Sequence, residues 1–387
     1  MAYYRQPEYY RSFQCIAGDC PITCCSKWRI DWSPAELDKL RSADCSPKFR
    51  DLIENSFSYD DSKNEYVIKL SANRECPFLT EDKFCGIQRE LGEEYISYIC
   101  RNYPRTNLLH NGVVHRTCSA SCYQVMNILC TDPNAMNLHN VRFEEKKVTI
   151  RSSRFSDERI KEHPELKFFN EIADFFFDIV SNKIRSVETS LVLGALAAQK
   201  LTEYINLGKW QQIPEIIKKL RPQLNATSVP SFENAAPHYG FSLGLCTEIL
   251  NNFCHTNVLN CLMVDDKLSA EKFVQGSEMF SAILSEQPYV LRNIALNFML
   301  EGSIPYINAQ QSLFDNYCYY VATVACTKLI CSAVAYSHQN LGVALPTALS
   351  YYVRSMYHSG TSKIDSIIEL LHQHQITTPA KLALMLK

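Results

Sequence analysis

The chain has 387 residues, of which 46% are hydrophobic and 21% charged, and its formal net charge is −2. These values are typical of a folded globular protein of one or two domains, and they argue against large-scale disorder. The near-zero net charge provides no bulk basic field for nucleic acid. The first residues lack the apolar stretch of a signal peptide, so no secretory leader is expected.

Cysteine is the informative residue type in this chain. There are 17 cysteines, and eleven of them lie within the first 130 residues. The odd total, the adjacent pair Cys24-Cys25 and the expected reducing compartment argue against a disulfide framework and favour a bound metal. Cys45 stands apart in a loop. Seven cysteines form a tight pattern: Cys15, Cys20, Cys24, Cys25, Cys76, Cys85 and Cys100.

The first 130 residues are predicted to form a cysteine-rich, metal-cluster head with few short strands. Residues 33–41 carry the N-cap serine, the proline and the acidic first turn of a helix. Polar and apolar residues alternate over 65–70, which predicts a short strand. Residues 91–100 are predicted to form one short helix that would carry Cys100, and it ends before Pro104 because the residue before a proline avoids the helical region.

A polar passage over residues 131–164 is predicted to be a linker, with a short strand at 147–151. From residue 165 onward apolar residues recur at helical spacing, so 165–387 is predicted to be an all-α body and the whole fold mainly α. Helices are predicted at residues 172–180, 191–207, 213–220, 243–253, 270–284, 290–300, 314–336, 345–357 and 364–374, with a loop at 221–237.

The most apolar run, residues 317–336, is predicted to be a buried core helix. It contains Lys328 and falls short of the roughly 20 apolar residues that a bilayer requires, so no membrane partner is expected. Six later cysteines at loosely helical spacing are predicted to be small buried side chains. They are Cys246, Cys254, Cys261, Cys318, Cys326 and Cys331.

Thiolates are ligands of both zinc and iron–sulfur clusters, and four cysteines would satisfy either. The spacing from Cys20 to Cys24 and Cys25 is unlike the Cys-x₂-Cys knuckle of structural zinc sites, which weakens the zinc interpretation. The radical-type signature Cys-x₃-Cys-x₂-Cys requires a cysteine at position 27, where the chain has Lys27. No Gly-x-Gly-x-x-Gly follows a predicted strand, so a Rossmann-type cofactor site is not expected.

Several residues near the pattern are further candidates. Arg101 and Arg105 would be either solvated cations or cofactor-binding groups that offset thiolate charge. Cys118 and Cys122 have the i, i+4 spacing of one helix face, which suits either a secondary ligand pair or packing. His110 and His115 are predicted to lie in a surface loop.

The cysteine pattern and its neighbours resemble the flagellin lysine-N-methylase family. The shared pattern reads Phe13-x-Cys15-x₂-Gly18-x-Cys20-x₃-Cys24-Cys25-x₂-Trp28, then Cys76-Pro-Phe-Leu, Cys85-x-Ile-Gln, Leu91-Gly-Glu and Cys100-x₂-Tyr-Pro-Arg105. The cysteine part is also similar to a broader group of bacterial proteins described as zinc- or iron-chelating. Outside residues 13–105 the resemblance rests on length and helical character.

The resemblance implies a cytoplasmic protein-lysine methyltransferase that acts on flagellin, with S-adenosylmethionine as donor and a [4Fe-4S] cluster on the cysteine-rich part. If the donor binds the cluster, one iron should lack a protein thiolate. In a polar mechanism the lysine must be neutral, which requires a base or a desolvating pocket. Tyr103 and Glu93 are catalytic candidates only because they adjoin the motif.

Two other functions remain open from the sequence. The first is a non-enzymatic zinc- or iron-binding or metal-delivery protein, although a helical body of whole-domain size is more than a chelator needs. The second is a redox sensor with labile thiols, which only the Cys24-Cys25 pair supports.

Overall fold

The N-terminal strand pairs with segments more than 100 residues further along the chain. This pairing places the N-terminal residues in the same compact unit as those later segments. In this computed structural model the described residues are 3–142, 155–226, 229–236, 238–254, 257–265, 267–308, 310–357 and 361–387. A cysteine-rich unit comprises residues 14–105 and 122–124. The other described residues form a second unit, here called the helical unit.

The cysteine-rich unit is built from short elements around a small core. Its elements are β2 (Asp31–Trp32), α2 (Pro34–Ser42), α3 (Pro47–Asn55), β3 (Phe57–Asp60), β4 (Glu65–Ile68), α4 (Gly86–Glu90) and α5 (Tyr98–Asn102), with 3₁₀ turns at Ala17–Asp19 and Glu93–Tyr95. Strand β4 lies between β2 and β3, antiparallel to both. Trp32, Phe57 and Phe78 are buried at the centre of the core.

The predicted helix at 33–41 and the strand at 65–70 are confirmed, as α2 and β4. Ser33 and Glu36 form a complete capping box at the start of α2, which explains why it begins there. The single helix predicted over 91–100 is wrong. Gly92 has a φ of +107°, outside the helical region, and Ser97 starts a new helix, α5.

The helical unit contains one mixed sheet and most of the helices. Its strands are β1 (Tyr3–Pro7), β5 (Arg105–His110), β6 (Val113–Cys118), β7 (Leu138–Arg142), β8 (Met263–Val264) and β9 (Lys267–Leu268). Its helices are α1 (Tyr9–Ser12), α6 (Tyr123–Thr131), α7 (Asp157–Glu162), α8 (Phe169–Ser181), α9 (Val187–Asn206), α10 (Ile213–Ala226), α11 (Pro230–Glu233), α12 (Tyr239–Phe253), α13 (Ala270–Glu286), α14 (Tyr289–Gly302), α15 (Leu313–Ser337), α16 (Leu341–Tyr357), α17 (Thr361–Gln373) and α18 (Pro379–Leu386).

The predicted division into a head of residues 1–130, a linker and an all-α body differs from the observed one. Strand β1 runs parallel to β6 and antiparallel to β7, so the sheet order is β5-β6-β1-β7. The segments before residue 14 and after residue 105 therefore belong to the helical unit, and β7 lies within the predicted linker. Among the described residues from 165 onward, the regular elements are helices apart from the β8–β9 pair, and the predicted strand at 147–151 lies outside the described residues.

Every helical run predicted beyond residue 165 is confirmed, and the fold is mainly helical with a few short strands. Helix α15 is long and apolar enough to cross a membrane by length and composition, but 94% of its most apolar window is buried inside the protein. The prediction of a core helix is therefore confirmed. The prediction that the six later cysteines are buried is confirmed for five of them, whereas Cys261 is half-buried.

Candidate metal centre

Four thiols of the cysteine-rich unit lie within electrostatic reach of one another: Cys24, Cys76, Cys85 and Cys100. The pKa of Cys76 and of Cys100 is raised to about 12, mainly by burial and in part by negative charge on other members of the set. Burial likewise raises the pKa of Cys85, and charge on Cys24 adds to that shift. Every pair in this set interacts, so the structure brings together four of the seven cysteines in the sequence pattern. We call them the four-thiol set.

Backbone pairing between distant segments brings the first three thiols together. The N–H of Cys76 donates to the carbonyl of Cys25 at 2.8 Å, which places Cys24 beside Cys76. A bridge between Leu79 and Cys85 then closes the turn that returns Cys85 toward Cys76. Two chain segments and one tight turn thus bring together residues that are up to 61 positions apart in sequence.

The fourth thiol is positioned by a helix start. Cys100 lies in the first turn of α5, where its N–H donates to the hydroxyl of the N-cap residue Ser97 at 3.2 Å. The Glu36 carboxylate accepts from the N–H of Tyr98 at 2.5 Å, and its negative charge also contributes to the raised pKa of Cys100. The N-terminal end of α5 is therefore fixed by two side-chain acceptors.

An aromatic pair lies beside the set. The indole N–H of Trp28 donates to the carbonyl of Cys24 at 2.5 Å. Its ring contacts that of Tyr103, with centroids 5.4 Å apart. Tyr103 therefore has a packing partner in Trp28, which is a structural role for this catalytic candidate. Glu93, the other catalytic candidate, is exposed in the 3₁₀ turn.

The two arginine candidates occupy different environments. The guanidinium of Arg101 donates to the carbonyls of Glu94 and Ile96, at 3.1 and 2.9 Å, and so stabilises the turn before α5. Arg105 is exposed at the first residue of β5. A role for either residue in binding a cofactor stays a prediction.

The other cysteines of the pattern differ in exposure. Cys15 is exposed, and its sulfur accepts from the N–H of Ala17 at 3.4 Å. Cys20 is half-buried. Cys25 is also half-buried and packs against the hydrophobic core, while its carbonyl binds the N–H of Cys76. Of the adjacent pair Cys24 and Cys25, Cys24 is in the four-thiol set and Cys25 supports the fold.

Cys118 and Cys122 do not share a helix face, contrary to the expectation from their spacing. Cys118 ends strand β6 and is fully buried, and its N–H donates to the Tyr9 hydroxyl at 2.9 Å. A turn follows in which the N–H of Ala120 donates to the Glu301 carboxylate at 3.0 Å. Cys122 comes after this turn, before α6, and it groups with the cysteine-rich unit.

His110 and His115 are buried in strands β5 and β6, so their predicted surface location is wrong. The Nε2 of His115 lies 2.9 Å from the side-chain oxygen of Asn170. Burial lowers the pKa of His115 to about 4, and the hydrogen bond to Asn170 only partly offsets this. A neutral imidazole packed in this way has a structural role.

The four thiols are not arranged to bind a single metal ion. Among the described residues, no group of three or more His, Cys, Asp or Glu side chains is close enough to hold one metal ion. Four sulfurs around a single zinc at about 2.3 Å would lie about 4 Å from one another. A cluster with several irons separates its thiolates further, because each thiolate binds a different iron.

A serine before the turn that carries Cys100 is a helix-start signal that could have identified Ser97, but the single helix predicted over 91–100 overlooked it. No comparable signal identified the hydrogen bond from Trp28 to Cys24, because it depends on the fold of the loop. The choice of four thiols from seven also depends on pairing between distant segments, which spacing in the sequence does not reveal.

Comparison with known proteins adds a result that is independent of this geometry. A family model described as the FliB lysine N-methylase C-terminal domain matches residues 173–385. The chain is 30% identical over 137 residues to the flagellar biosynthetic protein FliU of Salmonella muenchen, covering 34% of this chain and 80% of that protein. No solved structure matches it.

The chain is also similar to two proteins named lysine-N-methylase. It is 30% identical over 137 residues to the lysine-N-methylases of Salmonella typhimurium and Salmonella choleraesuis, covering 34% of this chain. The match spans 34% of the length of each of these two relatives.

Proposed function

Because the chain belongs to the FliB lysine N-methylase family, we propose that it is a protein-lysine methyltransferase that uses S-adenosylmethionine and acts on flagellin. The observation that carries this proposal is the family match over residues 173–385, more than half of the chain. The similarity to a protein named for flagellar biosynthesis supports flagellin as the substrate. On this proposal the reaction takes place in the cytoplasm, before flagellin is exported.

The overall reaction defines what the protein has to do. The lysine nitrogen forms a bond to the methyl carbon and loses a proton, while the carbon–sulfur bond of the donor breaks and S-adenosylhomocysteine leaves. A protonated lysine has no lone pair, so the protein must bind the lysine in its neutral form or remove its proton.

We further propose that the four-thiol set binds a [4Fe-4S] cluster. The support is that Cys24, Cys76, Cys85 and Cys100 all interact with one another, and that a cluster takes four thiolates. Trp28 and Ser97 would hold the backbone at two of these ligands. When bound, such a cluster supplies one-electron chemistry.

This ligand set has a consequence for the methyl donor. Four thiolates give each of four irons a protein ligand, which leaves none open for the amino and carboxylate groups of S-adenosylmethionine. The donor then needs a separate binding site.

Incubation of the anaerobically purified protein with flagellin and methyl-labelled S-adenosylmethionine tests the proposed activity. We expect label on lysine side chains, located by mass spectrometry of flagellin peptides. Absence of labelled lysine across several flagellins, with iron-loaded protein, would contradict the proposal.

A further inference from the structure

A cavity of about 420 Å³ lies inside the helical unit. It is open to solvent on one side and is lined by side chains from α9, α11, α12, α13, α15 and α18, almost all of them within the region that matches the family model. Cavities of about 300–1,000 Å³ are typical of small-molecule sites. None of the residues that line this one belongs to the cysteine-rich unit.

One wall of the cavity carries an ion pair. The Lys328 ammonium lies 2.9 Å from the Glu188 carboxylate and donates to the carbonyl of Leu386 at 3.1 Å. Burial, the largest single influence, would raise the pKa of Glu188. The charge and hydrogen bond of Lys328, the backbone N–H of Glu188 and the charge of Lys387 together outweigh it, so the pKa is lowered. The cavity therefore presents a charged carboxylate and a charged ammonium side by side.

Neither charged group uses all its hydrogen-bonding capacity on the described residues. The ammonium has three N–H groups and two protein acceptors there, and the Glu188 carboxylate, which can accept about four hydrogen bonds, accepts from Lys328 and from its own backbone N–H. A ligand with both an ammonium and a carboxylate could bind both groups at once. An α-amino acid head group has this combination of charges.

Apolar and aromatic side chains also line the cavity. Tyr239 and Phe273 line the cavity with their rings edge to face, 5.6 Å between centroids, and Phe232 and Leu243 extend this surface. A flat heteroaromatic ring can pack on such walls. The Ser277 side chain also lines the cavity and can supply a hydroxyl to a ligand's polar edge.

We propose that this cavity binds an adenosyl amino acid, with its ammonium on Glu188, its carboxylate on Lys328 and its adenine against the aromatic walls. The identity of the ligand rests on the proposed methyltransferase function, which requires such a donor. The ion pair, the aromatic walls and the volume of the cavity support the site itself. It would give the methyl donor a place apart from the four-thiol set.

Titration calorimetry with S-adenosylhomocysteine, on the full-length cluster-loaded protein, tests the proposal. Ser281 lines the cavity from an exposed position on α13, so Ser281→Trp adds bulk at the cavity without disturbing the core. Ser285→Trp is the matched control, one turn further along α13, exposed and outside the cavity lining. We expect binding to weaken at least about 10-fold in Ser281→Trp and to be unchanged in Ser285→Trp.

Truncated ligands test the role of the ion pair without altering the protein. Methylthioadenosine lacks the amino-acid head group, so it should bind about 10- to 100-fold more weakly than S-adenosylhomocysteine, as expected for lost charge-assisted hydrogen bonds. Equal affinity for the two compounds would overturn the assignment of Glu188 and Lys328.

Unchanged binding of S-adenosylhomocysteine in a folded Ser281→Trp protein would overturn the site. If that variant also still methylates flagellin, the site is wrong while the proposed function stands. If flagellin is never methylated although Ser281→Trp abolishes binding, the site stands and the proposed function is wrong.

Discussion

At the scale of single residues, the positions of the four thiols depend on a few hydrogen bonds. Ser97 is fully buried, and its hydroxyl is the acceptor that holds Cys100 at the start of α5. Ser46 has the same role at the start of α3, which carries no cysteine. The two N-caps also differ in burial, since Ser46 is exposed and its hydroxyl donates to the Glu90 carboxylate.

Ser97→Ala and Ser46→Ala are each expected to lower the free energy of unfolding by about 1 kcal/mol, since each removes an N-cap. Only Ser97→Ala should also lower the iron content, because it alone loosens a residue of the four-thiol set. Denaturant unfolding and iron analysis on both variants measure these effects. Equal iron content in the two variants would contradict the proposed role of Cys100.

His115 provides a prediction about pH. Its pKa falls from 6.5 to about 4 in the folded protein, so between these values the unfolded state binds a proton that the folded state does not. Stability from this group is therefore lost as the pH falls from about 6.5 to 4, by up to about 3 kcal/mol.

We expect His115→Gln to reduce that acid-induced loss, because glutamine does not titrate. The measurement is the free energy of unfolding of both proteins across this pH range. An identical pH dependence in the two proteins would show that His115 does not contribute.

At the scale of elements, α13 and α15 pack so closely that a methyl group cannot fit between them. A Cβ at Gly276 would lie 2.4 Å from the backbone oxygen of Ser332. A Cβ at Gly244, in α12, would have no neighbour within 4 Å. The two helical glycines therefore differ in packing and share the same low helix propensity.

Gly276→Ala should lower the free energy of unfolding by about 1–3 kcal/mol, as overpacking does. Gly244→Ala should raise it by about 0.5–1 kcal/mol, because alanine favours the helix. Thermal and denaturant unfolding of both variants give the comparison, and a stabilised Gly276→Ala protein would contradict the observed packing.

The long helices were predictable from sequence, whereas the sheet was not. Apolar periodicity indicated α8 through α17 except the short α11, because each long helix buries one face or, for α15, nearly its whole surface. Strand β1 was missed because its partners β6 and β7 lie more than 100 residues away. The cavity was missed for a related reason, since its lining comes from six separate helices.

At the scale of the whole molecule, the proposed chemistry is divided between two units. The four-thiol set lies in the cysteine-rich unit and the cavity in the helical unit. The cysteine pattern in the sequence indicated the metal centre, because clustered cysteines by themselves suggest a bound metal. Nothing in the sequence indicated the cavity. A metal-delivery protein would need the thiols alone, so the cavity favours the enzyme.

The most direct test compares three proteins in the flagellin methylation assay, each purified without oxygen and analysed for iron. They are the unaltered protein, Cys100→Ser and Cys45→Ser, whose cysteine packs against the same core outside the four-thiol set. We predict methylated lysine and bound iron for the unaltered protein and for Cys45→Ser, and loss of both for Cys100→Ser. Full methylation by an iron-free Cys100→Ser protein would contradict the account.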